Sequence, residues 1–84
     1  MNDIEFEILD ELYFMISFDD LKKRVSVDEN DLVKGLKRLI ELDFVRCYRD
    51  MEVLITPEDL QFDQQYQNYC YLASKQGLIA HNTI

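Results

Sequence analysis

Residues 16–57 read ISFDDLKKRVSVDENDLVKGLKRLIELDFVRCYRDMEVLITP, and this stretch decides the fold. Ser17 followed by Asp20 suits an N-cap with an acid at N3, so a short helix is expected over Phe18–Arg24. Val25-Ser26-Val27 reads as a turn with both valines inward. Asp28 is the next N-cap and opens a helix running to about Leu42. Leu32, Val33, Leu36, Leu39 and Ile40 fall on one face of that helix, and Asn30, Lys34, Lys37, Arg38 and Glu41 on the other. Phe44–Tyr48 has the aromatic and β-branched content of a strand, with Glu52–Thr56 as its hairpin partner across Arg49-Asp50-Met51. The order is helix, turn, helix, hairpin.

Upstream, Ile4, Ile8, Leu12 and Met15, joined by Leu9 and Ile16, predict an amphipathic helix over residues 3–15, followed by a short extended stretch at Met15-Ile16-Ser17. Phe6 and Tyr13 lie on its opposite face, where an exposed aromatic pair calls for cover from the C-terminal segment or from a partner. Downstream, Thr56-Pro57-Glu58-Asp59 reads as a helix start, with Thr as cap, Pro at the first position and acids against the dipole. A last helix is expected from Pro57 to about Gln76, stopped by Gly77, with Phe62, Tyr66, Tyr69, Cys70 and Ala73 as its apolar stripe. Leu78-Ile79-Ala80 and Ile84 form an apolar tail expected to pack down. The chain reads as one domain without repeat or linker: core and wing over 1–56, C-terminal helix and tail over 57–84.

Eighty-four residues, 48% hydrophobic and 31% charged, allow one small core. Two Gly and one Pro argue against a β-sandwich and against long loops. No apolar run approaches the roughly 18–20 residues that span a bilayer. The acidic opening residues are the reverse of a secretory leader. Cys47 and Cys70 are too few for a disulfide framework and read as partly buried thiols in a reducing compartment, so a cytoplasmic location is expected.

The segment Ser17–Val45 resembles the core of ArsR- and MarR-type winged helix-turn-helix regulators. The resemblance rests on the spacing of Leu21, Val25 and Val27, on the leucine run of the third helix, and on Asp43-Phe44-Val45 where those families carry Gly-Leu-Val. Ile55-Thr56-Pro57-Glu58 is similar to the Leu-Thr-Pro-Glu by which a second wing strand enters a C-terminal helix. Together these cover about half the chain or more. The resemblance implies a mainly α (α+β) fold: a three-helix core, a short two-stranded wing and an extra C-terminal helix. It implies a transcription regulator that binds duplex DNA through the third helix and wing and dimerises through the C-terminal helix. Two departures stand out. Asp28, Glu29, Asn30 and Asp31 open the would-be recognition helix with carboxylates, the wrong sign for phosphates and for most base edges. Asp43 stands where glycine is usual, at a position expected to need φ > 0.

Charge sharpens the question. The net charge is −8, yet residues 22–49 hold eight of the nine bases, while residues 1–21 hold seven acids and no base. The candidate nucleic-acid contacts are Asn30, Lys34, Lys37, Arg38, Arg46 and Arg49, set against the plainer reading of a solvated helix face. If the acids of residues 28–31 share a face with Lys34 and Arg38, the DNA reading falls. The alternative is an acidic winged-helix module that binds a basic protein and no DNA. A dimerisation or capping domain is a third reading. Phe6, Tyr13, Phe62, Tyr66, Tyr69 and Ala73 are the candidate dimer or partner interface, or else pack on one another within the chain. His81, alone and far from the cysteines, makes a zinc site improbable and reads as an ordinary tail residue. No nucleophile–base constellation or phosphate loop occurs, so neither catalysis nor a cofactor is expected.

Overall fold

The structure, a computed structural model, describes residues 1–83; Ile84 of the expected tail lies outside them. The elements are α1 (Asp3–Asp10), β1 (Ile16–Ser17), α2 (Phe18–Arg24), α3 (Glu29–Glu41), β2 (Val45–Arg49), β3 (Val53–Leu54), α4 (Phe62–Gln65), a 3₁₀ turn (Tyr66–Asn68), β4 (Cys70–Ala73) and α5 (Lys75–Asn82). The four strands form one antiparallel sheet in the order β1-β4-β2-β3. This is a small α+β domain.

Local chemistry fixes the helix ends. Asn2 caps α1 by accepting from the Glu5 N–H (2.8 Å), and the Glu5 carboxylate reaches back to the Asn2 N–H (3.2 Å), a reciprocal capping box. Ser17 caps α2 through the Asp20 N–H (3.2 Å), and Asp28 caps α3 through the Asp31 N–H (2.9 Å). At the far end of α3, Asp43 adopts φ 63. There the Phe44 N–H bonds the Leu39 carbonyl (2.9 Å) and the Asp43 N–H bonds the Ile40 carbonyl (3.0 Å), the two bonds of a Schellman motif. The hairpin turn places Asp50 at φ 54 and Met51 at φ 65, the φ signs of a type I′ turn.

Three expectations need correction. The first helix ends at Asp10 rather than at residue 15, because Leu12 drops into the core while its carbonyl accepts from the Ala73 N–H (2.9 Å) and draws the chain toward the sheet. The second hairpin strand is only Val53–Leu54.

The third correction is larger: no helix runs from Pro57 to Gln76. Thr56–Asp59 closes a single turn, with the Asp59 N–H on the Thr56 carbonyl (3.0 Å), and stops. After α4 and the 3₁₀ turn, the chain enters β4. Val45 pairs with Ala73, Cys47 with Tyr71, and Ile16 with Tyr71 across the other edge, so β4 finds a backbone partner on both sides. Tyr71 is fully buried and among the largest such side chains in the domain; its hydroxyl donates to the Tyr66 carbonyl (2.6 Å).

Gly77 is therefore not a helix stop. It lies in the first turn of α5, where Ser74 Oγ accepts its N–H (3.0 Å), and a Cβ on it would collide with the Phe44 carbonyl. The same Ser74 hydroxyl donates to the Asp43 carbonyl (2.7 Å). Thus the start of α5 is bolted to the junction between α3 and β2.

One core joins Ile8, Leu9 and Leu12, then Phe18 and Leu21, then Leu32, Leu36 and Leu39, to Ile16, Val45, Cys47 and Tyr71 of the sheet. Gly35 lets α1 come close to α3: a Cβ there would lie 2.6 Å from Ile8 Cδ1. Of the expected tail, Leu78 packs against the core, whereas Ile79 is exposed.

Candidate interaction surface

The exposed side of α3 carries Asn30, Lys34, Lys37 and Arg38, as its helical period requires. Two of these cations are already engaged. Arg38 Nε lies 3.3 Å from Glu5 Oε2, a carboxylate only 2% exposed. Lys37 Nζ donates to both Asp63 oxygens, at 3.1 and 3.2 Å. Lys34, Arg46 and Arg49 have no ion pair among the described residues.

The opening acids of α3 divide between three tasks. Asp28 caps the helix. Glu29 turns toward Lys22 (2.8 Å), the Tyr66 hydroxyl (2.9 Å) and Gln67 Nε2 (3.2 Å). Its carboxyl is held below the usual range, mainly by the Lys22 ammonium and then by the Tyr66 and Gln67 donors. The same contacts raise Lys22 and Tyr66. Asp31 lines a cleft of about 290 Å³ together with Lys34, Arg38, Asn2, Glu5 and Gly35. One acid of residues 28–31 therefore shares a face with Lys34 and Arg38.

Two segments bring acids to α3. On one side lies α1, bearing Asp3 and Glu5. On the other, α4 and the 3₁₀ turn bring Asp63 to Lys37, and Tyr66 and Gln67 to Glu29. A larger cleft of about 600 Å³ opens where Ile40 and Glu41 meet Arg46, Leu54, Ile55, Pro57 and Leu60.

The aromatic candidates sort differently from expectation. Phe62, Tyr69 and Ala73 are buried in the core and Tyr66 packs against it; the four run from α4 through the 3₁₀ turn to β4 and so do not line one helix. They do not cover Phe6 and Tyr13 either. That cover comes from His81 on α5, whose ring stacks on Phe6 (centroids 4.3 Å apart) and whose Nδ1 meets the Tyr13 hydroxyl at 2.7 Å. His81 Nε2 stands 3.4 Å from Asp10 Oδ1 without hydrogen-bond geometry. Its side chain is 10% exposed, so it is an α1–α5 packing residue rather than a free tail.

Both cysteines are free and buried, and burial pushes the Cys47 thiol up to about 12, which keeps it protonated and inert. Among the described residues no three of His, Cys, Asp and Glu converge as a metal site would need, and no helix is long and apolar enough to cross a membrane.

The partners Glu5 and Asp63 lie far from Arg38 and Lys37 in the chain. Asn2 followed by Glu5 is a legible capping box. Nothing in the sequence, however, placed Glu5 beneath Arg38. The exposed apolar hairpin edge does carry a sequence signal, in Met51-Glu52-Val53-Leu54. No family model, curated protein or solved structure matches this chain.

Proposed function

We propose that this chain is a winged-helix domain that binds a protein with a basic docking face, rather than duplex DNA. On this reading β2 and β4 are the wing strands, β1 pairs with the returning β4, and residues 50–69 are an enlarged wing. The element order from α1 to β2, followed by a strand that returns between β1 and β2, supports that assignment.

One observation carries the choice of ligand. Lys37 and Arg38, two of the three cations on the outer face of α3, are held by Asp63 and Glu5, and Asp31 lines the same cleft as Arg38. A polyanion would have to break those pairs, leave the buried Glu5 carboxylate without its cation, and approach a body of net charge −8. A basic protein surface meets none of these costs.

The second reading, a small DNA-binding regulator, draws on Lys34, Arg46 and Arg49, which are unpaired among the described residues. Three phosphate contacts would give a logarithmic salt slope of only about −3.

Cross-linking of the tagged chain inside the cells that produce it separates the two. The expected product is a protein adduct that survives nuclease treatment, with cross-links to lysines of the partner. Recovery of nucleic acid, lost on nuclease digestion, would overturn the proposal.

A further inference from the structure

We propose that the free edge of the sheet, strand β3 with the cleft beside it, takes an extended apolar peptide bearing lysine or arginine. This rests on the reading of a basic protein partner and gives that partner a docking surface. β3 is the last strand in the order β1-β4-β2-β3, so its outer backbone edge has no strand beside it among the described residues. Edge strands are ordinarily guarded by charge or proline. Here the guard is slight, a two-residue strand with Glu52 before it, while its own Val53 and Leu54 are 52% and 43% exposed.

The adjoining cleft, about 600 Å³, is lined by the apolar Ile40, Leu54, Ile55 and Leu60, with Glu41, Asp43 and a single base, Arg46, also in its wall. Over residues 41–60 the acids are Glu41, Asp43, Asp50, Glu52, Glu58 and Asp59, against only Arg46 and Arg49. The surface therefore offers backbone pairing, an apolar slot and a negative surround.

An extended peptide satisfies all three at once. Its backbone adds a strand to β3, alternate side chains enter the slot, and the intervening basic residues face the acids. A second copy of this chain fits less well, since it would bring the same acids and another net −8 against them.

The test uses the isotope-labelled protein and a short peptide alternating lysine and valine, with amide shifts followed by NMR at low ionic strength. Two control peptides replace lysine by glutamate or place proline at the centre. Expected are shifts at Val53, Leu54 and Ile55, and affinity at least about tenfold weaker for either control and for Leu54→Asp. Val53→Asp, at a more exposed position, gives the same reading should Leu54→Asp unfold.

Absence of binding, equal affinity for the proline peptide, or shifts confined to the acidic α1 would overturn the assignment while leaving a protein partner elsewhere on the surface. Self-association in sedimentation that is abolished by Leu54→Asp would overturn it in favour of a second copy. Salt-sensitive binding of duplex DNA would instead remove the underlying reading.

Discussion

Asp43 sits one residue beyond the C-cap of α3, at φ 63, in a motif that favours glycine. Its side chain is exposed and makes no hydrogen bond among the described residues, while its carbonyl is what Ser74 uses. Asp43→Gly should therefore stabilise the domain by roughly 0.5–1 kcal/mol, seen as a higher urea midpoint at unchanged slope. Gly77 is the converse case. Gly77→Ala should cost about 2–3 kcal/mol, because the Phe44 carbonyl in its way is backbone and cannot step aside. Gly35→Ala should be near neutral: the obstructing Ile8 Cδ1 is a flexible terminus, and alanine regains about 1 kcal/mol of helix propensity. Equal losses at the two glycines in parallel urea melts would contradict this. The requirement at Asp43 was legible in the sequence because a helix end is local. That at Gly77 was not, because its cause is a carbonyl far upstream.

At the scale of elements, β4 binds the domain together. Tyr69, Tyr71 and Ala73 alternate into the core, yet Phe62, Tyr66, Tyr69 and Ala73 also fit a helical stripe, so the pattern alone admits both periods. The waiting edges of β1 and β2 decide for the strand, and neither is visible from the local sequence. Removal of residues 57–84 should therefore leave no folded core over 1–56, although that segment contains α1 to α3 and the β2–β3 hairpin. The expected product lacks near-ultraviolet dichroism, and a cooperative melt would refute it. By contrast α2, α3 and their caps were readable, since Ser17 and Asp28 act on amides three residues away.

The contacts of Glu29 tie α2, α3 and the 3₁₀ turn together and carry a definite sign. Its folded-state pKa is depressed, so its contribution is present above the ordinary value of 4.5 and is lost as pH falls through the lower folded value. Lys22, raised above 10.5, contributes below that value and loses its share as pH climbs past it. The gap in urea midpoint between wild type and Glu29→Gln should be open at neutral pH and close as the pH is taken below 4.5. A gap independent of pH would show that Glu29 acts only through its shape.

For the whole molecule, the decisive fact is the placement of charge rather than its total. The sequence made the clustering of bases plain. What it hid was that Asp63 and Glu5, on separate elements, return to neutralise Lys37 and Arg38. Arg38→Ala should consequently destabilise the domain by about 1–2 kcal/mol, since it strips the cation from a buried carboxylate. Arg46→Ala and Arg49→Ala should cost under about 0.5 kcal/mol. The most direct measurement is a fluorescence-anisotropy titration of mixed-sequence duplex DNA with the wild-type chain at low ionic strength. Flat anisotropy is the expected result. Saturable binding that weakens steeply with salt, and is lost on Lys34→Ala and Arg46→Ala, would contradict the account.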